Sequence, residues 1–295
     1  MDTLLEILHP NFILRNSVYI GLVAGITCPL IGVYLLLRRL VFLGVALPQV
    51  SACGIACAFA FHAWGIIPHL EEGEQALAMA GSTLFTLATL AILTLLEHSR
   101  RGLTESRIGV AYVLAGAWSI LLLVKNPKGE HGLADRLRGE IIAVSNLDLL
   151  VTAVTFILVV ALLLLFRKEF LLCSYDRELA VTLKINPRRW DALLFLLAGL
   201  VISLAVYAVG PLVTFGLLLL PPLIAHQLAR SITTFALLAP TIGAITSIAG
   251  FTIAYHYDLP VGATDVAILG TVFAISTLSK KLRNPPRLSS PENHS

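Results

Sequence analysis

Charge is what this chain has least of, and that scarcity decides its environment. Of its 295 residues 13% are Asp, Glu, Lys or Arg and 57% are hydrophobic, whereas a soluble domain carries about 25% charged residues. Mean hydropathy is +0.86, which excludes a water-soluble fold and places most of the mass in lipid. Cysteine is scarce too. Cys28, Cys53, Cys57 and Cys173 all lie in or beside apolar runs, which excludes the disulfide framework of a small secreted domain. A Gly-x-x-x-x-Gly-Lys-Ser/Thr phosphate loop is missing, so the chain is not expected to hydrolyse nucleotide unaided or to act as an enzyme. His-Glu-x-x-His is missing as well, and no serine–base constellation can be placed from spacing, which sets a membrane-embedded hydrolase aside. The opening "MDTLLEILHPNFILRN" has acids and a proline instead of a basic start and a small-residue cleavage site, so the first span is expected to be retained. A formal charge of +3 gives no reason to expect nucleic acid as a partner.

What the chain has in quantity is long apolar runs, each near the roughly 20 residues that cross a bilayer as a helix. Gaps between charges delimit spans at about 17–37, 41–66, 76–96, 108–124, 147–166, 191–208, 211–229, 233–255 and 263–279. The expected fold is all-α, a polytopic transmembrane bundle of about nine spans, with eight as the alternative count. It occupies residues 1–283, and 284–295, rich in proline and serine, is expected to be a disordered cytoplasmic tail. With that end inside, 16 of the 21 basic residues fall on the cytoplasmic side, which predicts an external N-terminus. The external loop at 125–145 contains "LADRLRGEII", a candidate for a short helix lying on the surface.

Prolines punctuate these spans. Residues 40–61, "LVFLGVALPQVSACGIACAFAF", carry no charge, yet Pro48 and Gln49 sit near the middle. Gly210–Pro211 and Pro221–Pro222 interrupt a later apolar run. Proline removes a backbone donor and kinks a helix, and lipid tolerates the freed carbonyl only against neighbouring helices or a water-lined cavity. Both a transport pathway and a packing kink fit that pattern. Gln49, Cys53 and Cys57 recur at i, i+4 and i+8, a stripe whose thiols, once deprotonated, suit a soft or borderline cation; "SACGIACA" equally suits small-residue packing between membrane helices. Gln49 itself either lines a pore or hydrogen-bonds across helices. His62 and His69, with Glu71, Glu72 and Glu74, form either a solvated acidic loop or a cation-attracting outer mouth. His226 is a polar cap or a gate. His256 and Asp258, before Pro260, order an outer turn or meet a partner.

Residues 167–190, "RKEFLLCSYDRELAVTLKINPRRW", are too polar to span. Within them "SYDRELAVTLKI" predicts a short amphipathic helix near 174–186, capped by Ser174 to Asp176, with Leu179, Ala180 and Leu183 on one face and Asn186–Pro187 as its stop. Such a helix either covers the bundle or docks a soluble subunit through an apolar stripe with a charged rim.

That segment resembles the Asp-x-Glu-x-Ala-x-x-x-Gly-Ile coupling segment in permeases of zinc- and manganese-type ABC importers, with Lys184 where the family prefers Gly. The likeness continues through "PLIGVYLLLRRLVFLG", "ESRIGVAYVLAGAWSILLL", "RLRGEIIAVSNLDL", "YAVGPLVTFGLLLLPPLIAHQLAR" and "YHYDLPVGATDVAILG", in order along nearly the whole chain. It implies a homodimeric permease in the plasma (inner) membrane of a prokaryote. A cytoplasmic ATPase subunit, holding the ATP-Mg, would lie beneath each copy, and an extracytoplasmic solute-binding protein would deliver cargo; the permease itself would hold no cofactor. Asp176, Glu178, Ala180, Lys184 and Ile185 would couple to the ATPase. Val45, Pro48, Gln49, Cys53, Cys57, Pro211 and Pro221 would border the pathway, with Gln49, Cys53 and Cys57 the candidate metal ligands. The family usually carries Asp at the position of Val45 and His at that of Gln49, one helical turn apart and able to take a divalent cation. Here both ligands are replaced. The expected function is therefore uptake of a divalent metal ion or metal chelate by an ABC importer permease; the alternatives are a permease for a non-metal small solute and a degenerate, non-transporting sensor.

Overall fold

The computed structural model describes residues 14–64, 74–97, 104–124 and 145–283, and every regular element among them is helical. In chain order these are α1 (Arg15–Leu37), α2 (Val41–Ala63), α3 (Glu74–Glu97), α4 (Thr104–Val124), α5 (Asn146–Leu165), α6 (Arg167–Tyr175), α7 (Arg177–Thr182), α8 (Pro187–Val209), α9 (Pro211–Leu228), α10 (Ile232–Tyr257) and α11 (Val261–Arg283). Nine of the described helices, all but α6 and α7, are long and apolar enough to cross a membrane. The expected surface helix in 125–145, the acidic loop at 69–72 and the tail from Asn284 lie outside the described residues.

Helix ends follow local chemistry. Ser145 and Ser231 accept from the amides of Asp148 and Thr234, at 3.2 and 3.1 Å, and so start α5 and α10. Asn186 accepts from the Arg188 amide at 3.2 Å, and Pro187 occupies the first turn of α8, where a missing N–H costs nothing. Asn186–Pro187 thus begins a span as well as ending the segment before it. Gly210, with φ 85° and ψ 163°, turns the chain from α8 into α9, a backbone geometry open essentially to glycine alone. Gly210–Pro211 is therefore a hairpin point between two spans and not a break within one. Pro48 and Pro221–Pro222 also leave α2 and α9 continuous, which, of the two readings of these prolines, fits a kink within a packed span.

Packing meets the freed carbonyl at two of the prolines. Proline 222 withdraws the donor that the Leu218 carbonyl would otherwise receive, and a Cβ at Gly32 of α1 would collide with that oxygen. The bare Cα of Gly32 lies on the freed carbonyl in a Cα–H···O contact, worth about 0.5–1 kcal/mol. Pro29 frees the Gly25 carbonyl, and Gly243 of α10 lies against it in the same way. Gly54 of α2 and Gly81 of α3 approach through each other's carbonyls, which is the small-residue packing that membrane helices favour.

Helices α1, α2 and α8 form the buried interior, and α3, α4, α5 and α11 lie outermost. A polar knot crosses that interior. Ser51 and Ser82 hydroxyls pair at 2.6 Å, and Ser82 also reaches the Ser203 carbonyl at 2.8 Å, tying α2, α3 and α8 with every group satisfied locally. Asn16 and Asn146 bond at 2.7 Å where α1 and α5 start. At the opposite end Gln227 of α9 bonds Ser276 and Thr277 of α11, each at 3.0 Å. This second end also gathers the close of α1, helices α6 and α7, and the start of α8, together with most of the described basic residues.

Candidate functional site

Two regions carry the residues singled out in the sequence: the α6–α7 segment at the basic end and the face of α2 around Gln49.

Six residues of helix are too few to persist alone in water, so α7 depends on its ends. Asp176 leaves the helical region, with φ −139° and ψ 93°, and its Oδ1 accepts from the Leu179 amide at 2.9 Å, a cap worth about 1 kcal/mol. The Ile185 amide returns to the Ala180 carbonyl at 3.0 Å and the Lys184 amide to Val181 at 2.9 Å, the double closure that needs a left-handed residue after the helix. Lys184 supplies it with φ 61°. A residue with a Cβ pays about 1–2 kcal/mol there, which gives a physical reason for glycine at this place in the family. Ala180 is fully buried, while Leu179, Val181 and Leu183 are exposed beside Tyr175, Asp176, Glu178 and Lys184. The expected stripe of Leu179, Ala180 and Leu183 is therefore split: Ala180 seats the helix and the leucines face away from the bundle. The expected single helix over 174–186 is also divided, because Asp176 interrupts it as a cap.

Above α7 the support is an aromatic stack. Phe166 and Phe170 pack on Trp190 with ring centroids 5.2 and 5.3 Å apart, and Tyr34 meets Phe170 edge-on at 5.8 Å. Arg38, at the end of α1, is largely buried. Its Nη1 donates to Asp191 Oδ1 of α8 at 2.6 Å and its Nε to Ser174 Oγ of α6 at 2.9 Å. Sequence reasoning counted Arg38 in the topology balance and within the family-like stretch "PLIGVYLLLRRLVFLG", without a partner; the signal that finds this bridge is a lone acid, Asp191, in the opening of an apolar span.

On α2, Val45 and Gln49 are half-buried and Pro48 is buried. Gln49 lies toward α4, where a Cβ on Gly116 would sit 3.5 Å from its Nε2. Cys53 is buried with Val50 and Ala115, and Cys57 and Phe85 pack on that cluster. Its surroundings are apolar, the environment of a packing residue. Among the described residues no three His, Cys, Asp or Glu side chains come together as a group able to hold a metal ion. Pro221 is buried in α9 and Pro211 is half-buried at the first turn of that helix, and of the candidate pathway residues Cys53 and Cys57 lie together in one cluster.

The remaining candidates are peripheral. His226 is exposed in the last turn of α9, its ring edge-on to Phe235 at 5.6 Å. Asp258, left-handed at φ 51°, closes α10, and His256 stacks edge-on against Tyr257 at 4.9 Å, in keeping with the ordering of a turn. Missed entirely was Asp265 of α11, which is buried in a span with its Oδ1 against Gly250 of α10.

Comparison with known proteins places this geometry. The profile of the ABC 3 transport family matches residues 11–280. The manganese import system permease protein ScaB of Streptococcus gordonii is 27% identical over 91% of this chain and 92% of its own. The manganese transport system membrane protein MntC of Listeria innocua is 28% identical over 90% and 88%. Among solved structures, PsaBC from Streptococcus pneumoniae in complex with Fab superposes with a TM-score of 0.78, covering 95% of this chain and 99% of that one at 24% identity, a likeness of fold.

Proposed function

The chain belongs to the ABC 3 transport family, and from that premise we propose that it is the membrane permease of an importer that takes up a divalent metal, driven by a separate ATPase. The observation that carries this reading is α7, a capped helix seated by one buried alanine that presents Leu179, Val181 and Leu183 with a charged rim to the outside of the bundle. An apolar strip of that size suits insertion into a groove on a soluble partner. The basic end, where α7 lies, would be cytoplasmic by the distribution of Lys and Arg, with the N-terminus outside. Two copies would pair about a two-fold axis, each over one ATPase subunit bearing ATP-Mg. An external solute-binding protein would supply the cargo at the end holding Asn16, Asn146 and the Gly210 turn. Alternating access would follow from displacement of α7 and rearrangement of the spans carrying Gln49, Pro211 and Pro221.

The names of the relatives point to manganese. The face of α2 points to a restriction on its form. Val45 has no donor atom and Gln49 offers one neutral carbonyl oxygen, so a bare dication would meet no compensating charge in a low-dielectric passage. The cargo that fits is a metal whose charge is already neutralised by a chelator. Reconstituted with its ATPase and binding protein in liposomes, the permease is expected to move chelated manganese and to move the free ion poorly. Val45→Asp with Gln49→His should restore uptake of the free ion. Strong uptake of free manganese by the unaltered chain would refute the restriction, and uptake of neither form would favour a non-metal solute or a sensor.

A further inference from the structure

Helix α7 holds the bundle by very little: Ala180 is its one buried side chain among those described. A push on α7 must therefore leave through the elements on either side, α6 before it and α8 after it. One side chain grips both. Arg38 Nε binds Ser174, two residues before the α7 cap, and Arg38 Nη1 binds Asp191, in the second turn of α8. The Ser174 hydroxyl donates to the Phe170 carbonyl at 2.6 Å, which leaves its lone pair for the guanidinium, so donors and acceptors along the chain of contacts agree. Arg38 in turn stands at the hinge of the interior. Arg39 is left-handed at φ 58°, and the Leu40 amide closes on the Leu35 carbonyl at 2.9 Å; α2, which carries Gln49, begins at Val41. A shift of Arg38 therefore moves the close of α1 and the start of α2 together.

Resting on the reading of α7 as the ATPase-coupling segment, we propose that Arg38 is a positioning residue that transmits displacement of α6–α7 to the α1–α2 turn. The planar guanidinium fork suits that task, because it fixes two partners in one geometry where an ammonium would act as a point charge. The aromatic stack of Tyr34, Phe166, Phe170 and Trp190 runs beside the bridge and is the competing route; it holds α6 against α8 and, through Tyr34, against the last turn of α1, but by ring packing and not by a directional bond to the α1–α2 turn.

The test is hydrogen exchange, followed by mass spectrometry, on the purified complex of permease and ATPase, with and without ATP plus vanadate. In the unaltered complex nucleotide should change exchange both in α7 and in residues 38–44. With Arg38→Lys or Arg38→Met the change should persist in α7 and vanish from 38–44. Ser174→Ala, which removes one arm and leaves the ion pair, should diminish the change at 38–44 without removing it, and it keeps the test available should the arginine variants not fold. A role confined to stability would lower the melting temperature but leave the nucleotide-dependent difference in place. An undiminished change at 38–44 in variants that still capture the ATPase overturns the proposal alone. Failure of the unaltered permease to capture any ATPase overturns the coupling reading, and the proposal with it.

Discussion

Replacement of Gly32 by alanine is the sharpest probe of the packing described here. A Cβ at that position would lie 2.8 Å from Pro222 Cγ and 3.0 Å from the Leu218 carbonyl carbon, and nearer still to the carbonyl oxygen, where ordinary contact begins at 3.4 Å. A backbone carbonyl and a pyrrolidine ring cannot rotate aside, so α9 must move away from α1. Overpacking of this kind costs about 1–3 kcal/mol, and the lost Cα–H···O contact adds about 0.5–1 kcal/mol. Against this, alanine gains up to about 1 kcal/mol over glycine in helix propensity. The severity of the overlap places the net loss near 2–3 kcal/mol, or about 3–5 °C in melting temperature for a chain of this size. Cys28, Cys53 and Cys173 are buried and Cys57 partly so, so a thiol-reactive dye in a thermal ramp reads unfolding as the rise above any signal from Cys57. Gly109→Ala and Gly270→Ala serve as controls, since nothing lies within 4 Å of a Cβ at either place; both should melt with the unaltered protein or slightly above it. Gly32→Ala melting alongside those controls would refute the account of how the prolines are accommodated.

Two further outcomes follow from α7. Lys184→Gly removes a left-handed strain of about 1 kcal/mol and should slow amide exchange across α7 several-fold; faster exchange would show that the φ of 61° is not what limits the helix. Leu179→Ala with Leu183→Ala should leave the melting temperature within about 1 °C, because both side chains are exposed and such positions change stability little. The same pair should weaken capture of the ATPase by about tenfold or more, as loss of two apolar anchors would, and equal capture would place the docking surface elsewhere.

Much of this was legible in the amino-acid order because it depends on local chemistry. Apolar runs separated by charges gave spans that the structure reproduces to within a few residues, since a helix in lipid must be apolar along its whole length. Asp176 as a cap and Asn186–Pro187 as a boundary were readable for the same reason: the side chain acts on amides two or three residues away. The prolines left two readings open, a pathway and a packing kink, because a freed carbonyl is a problem only if nothing meets it, and Gly32 and Gly243, which meet two of them, lie on helices remote in sequence.

By itself, then, the order of residues determined that the chain lives in a membrane, where its spans fall, and which short polar segment stands apart. Only the tertiary structure decided that Ala180 faces inward while Leu179 and Leu183 face out, that Gln49 looks toward α4, and that Arg38 holds Ser174 and Asp191 at once. The physical reason is distance along the chain: Ser174 and Asp191 are 136 and 153 residues from Arg38, and contacts of that span exist only once the helices have packed.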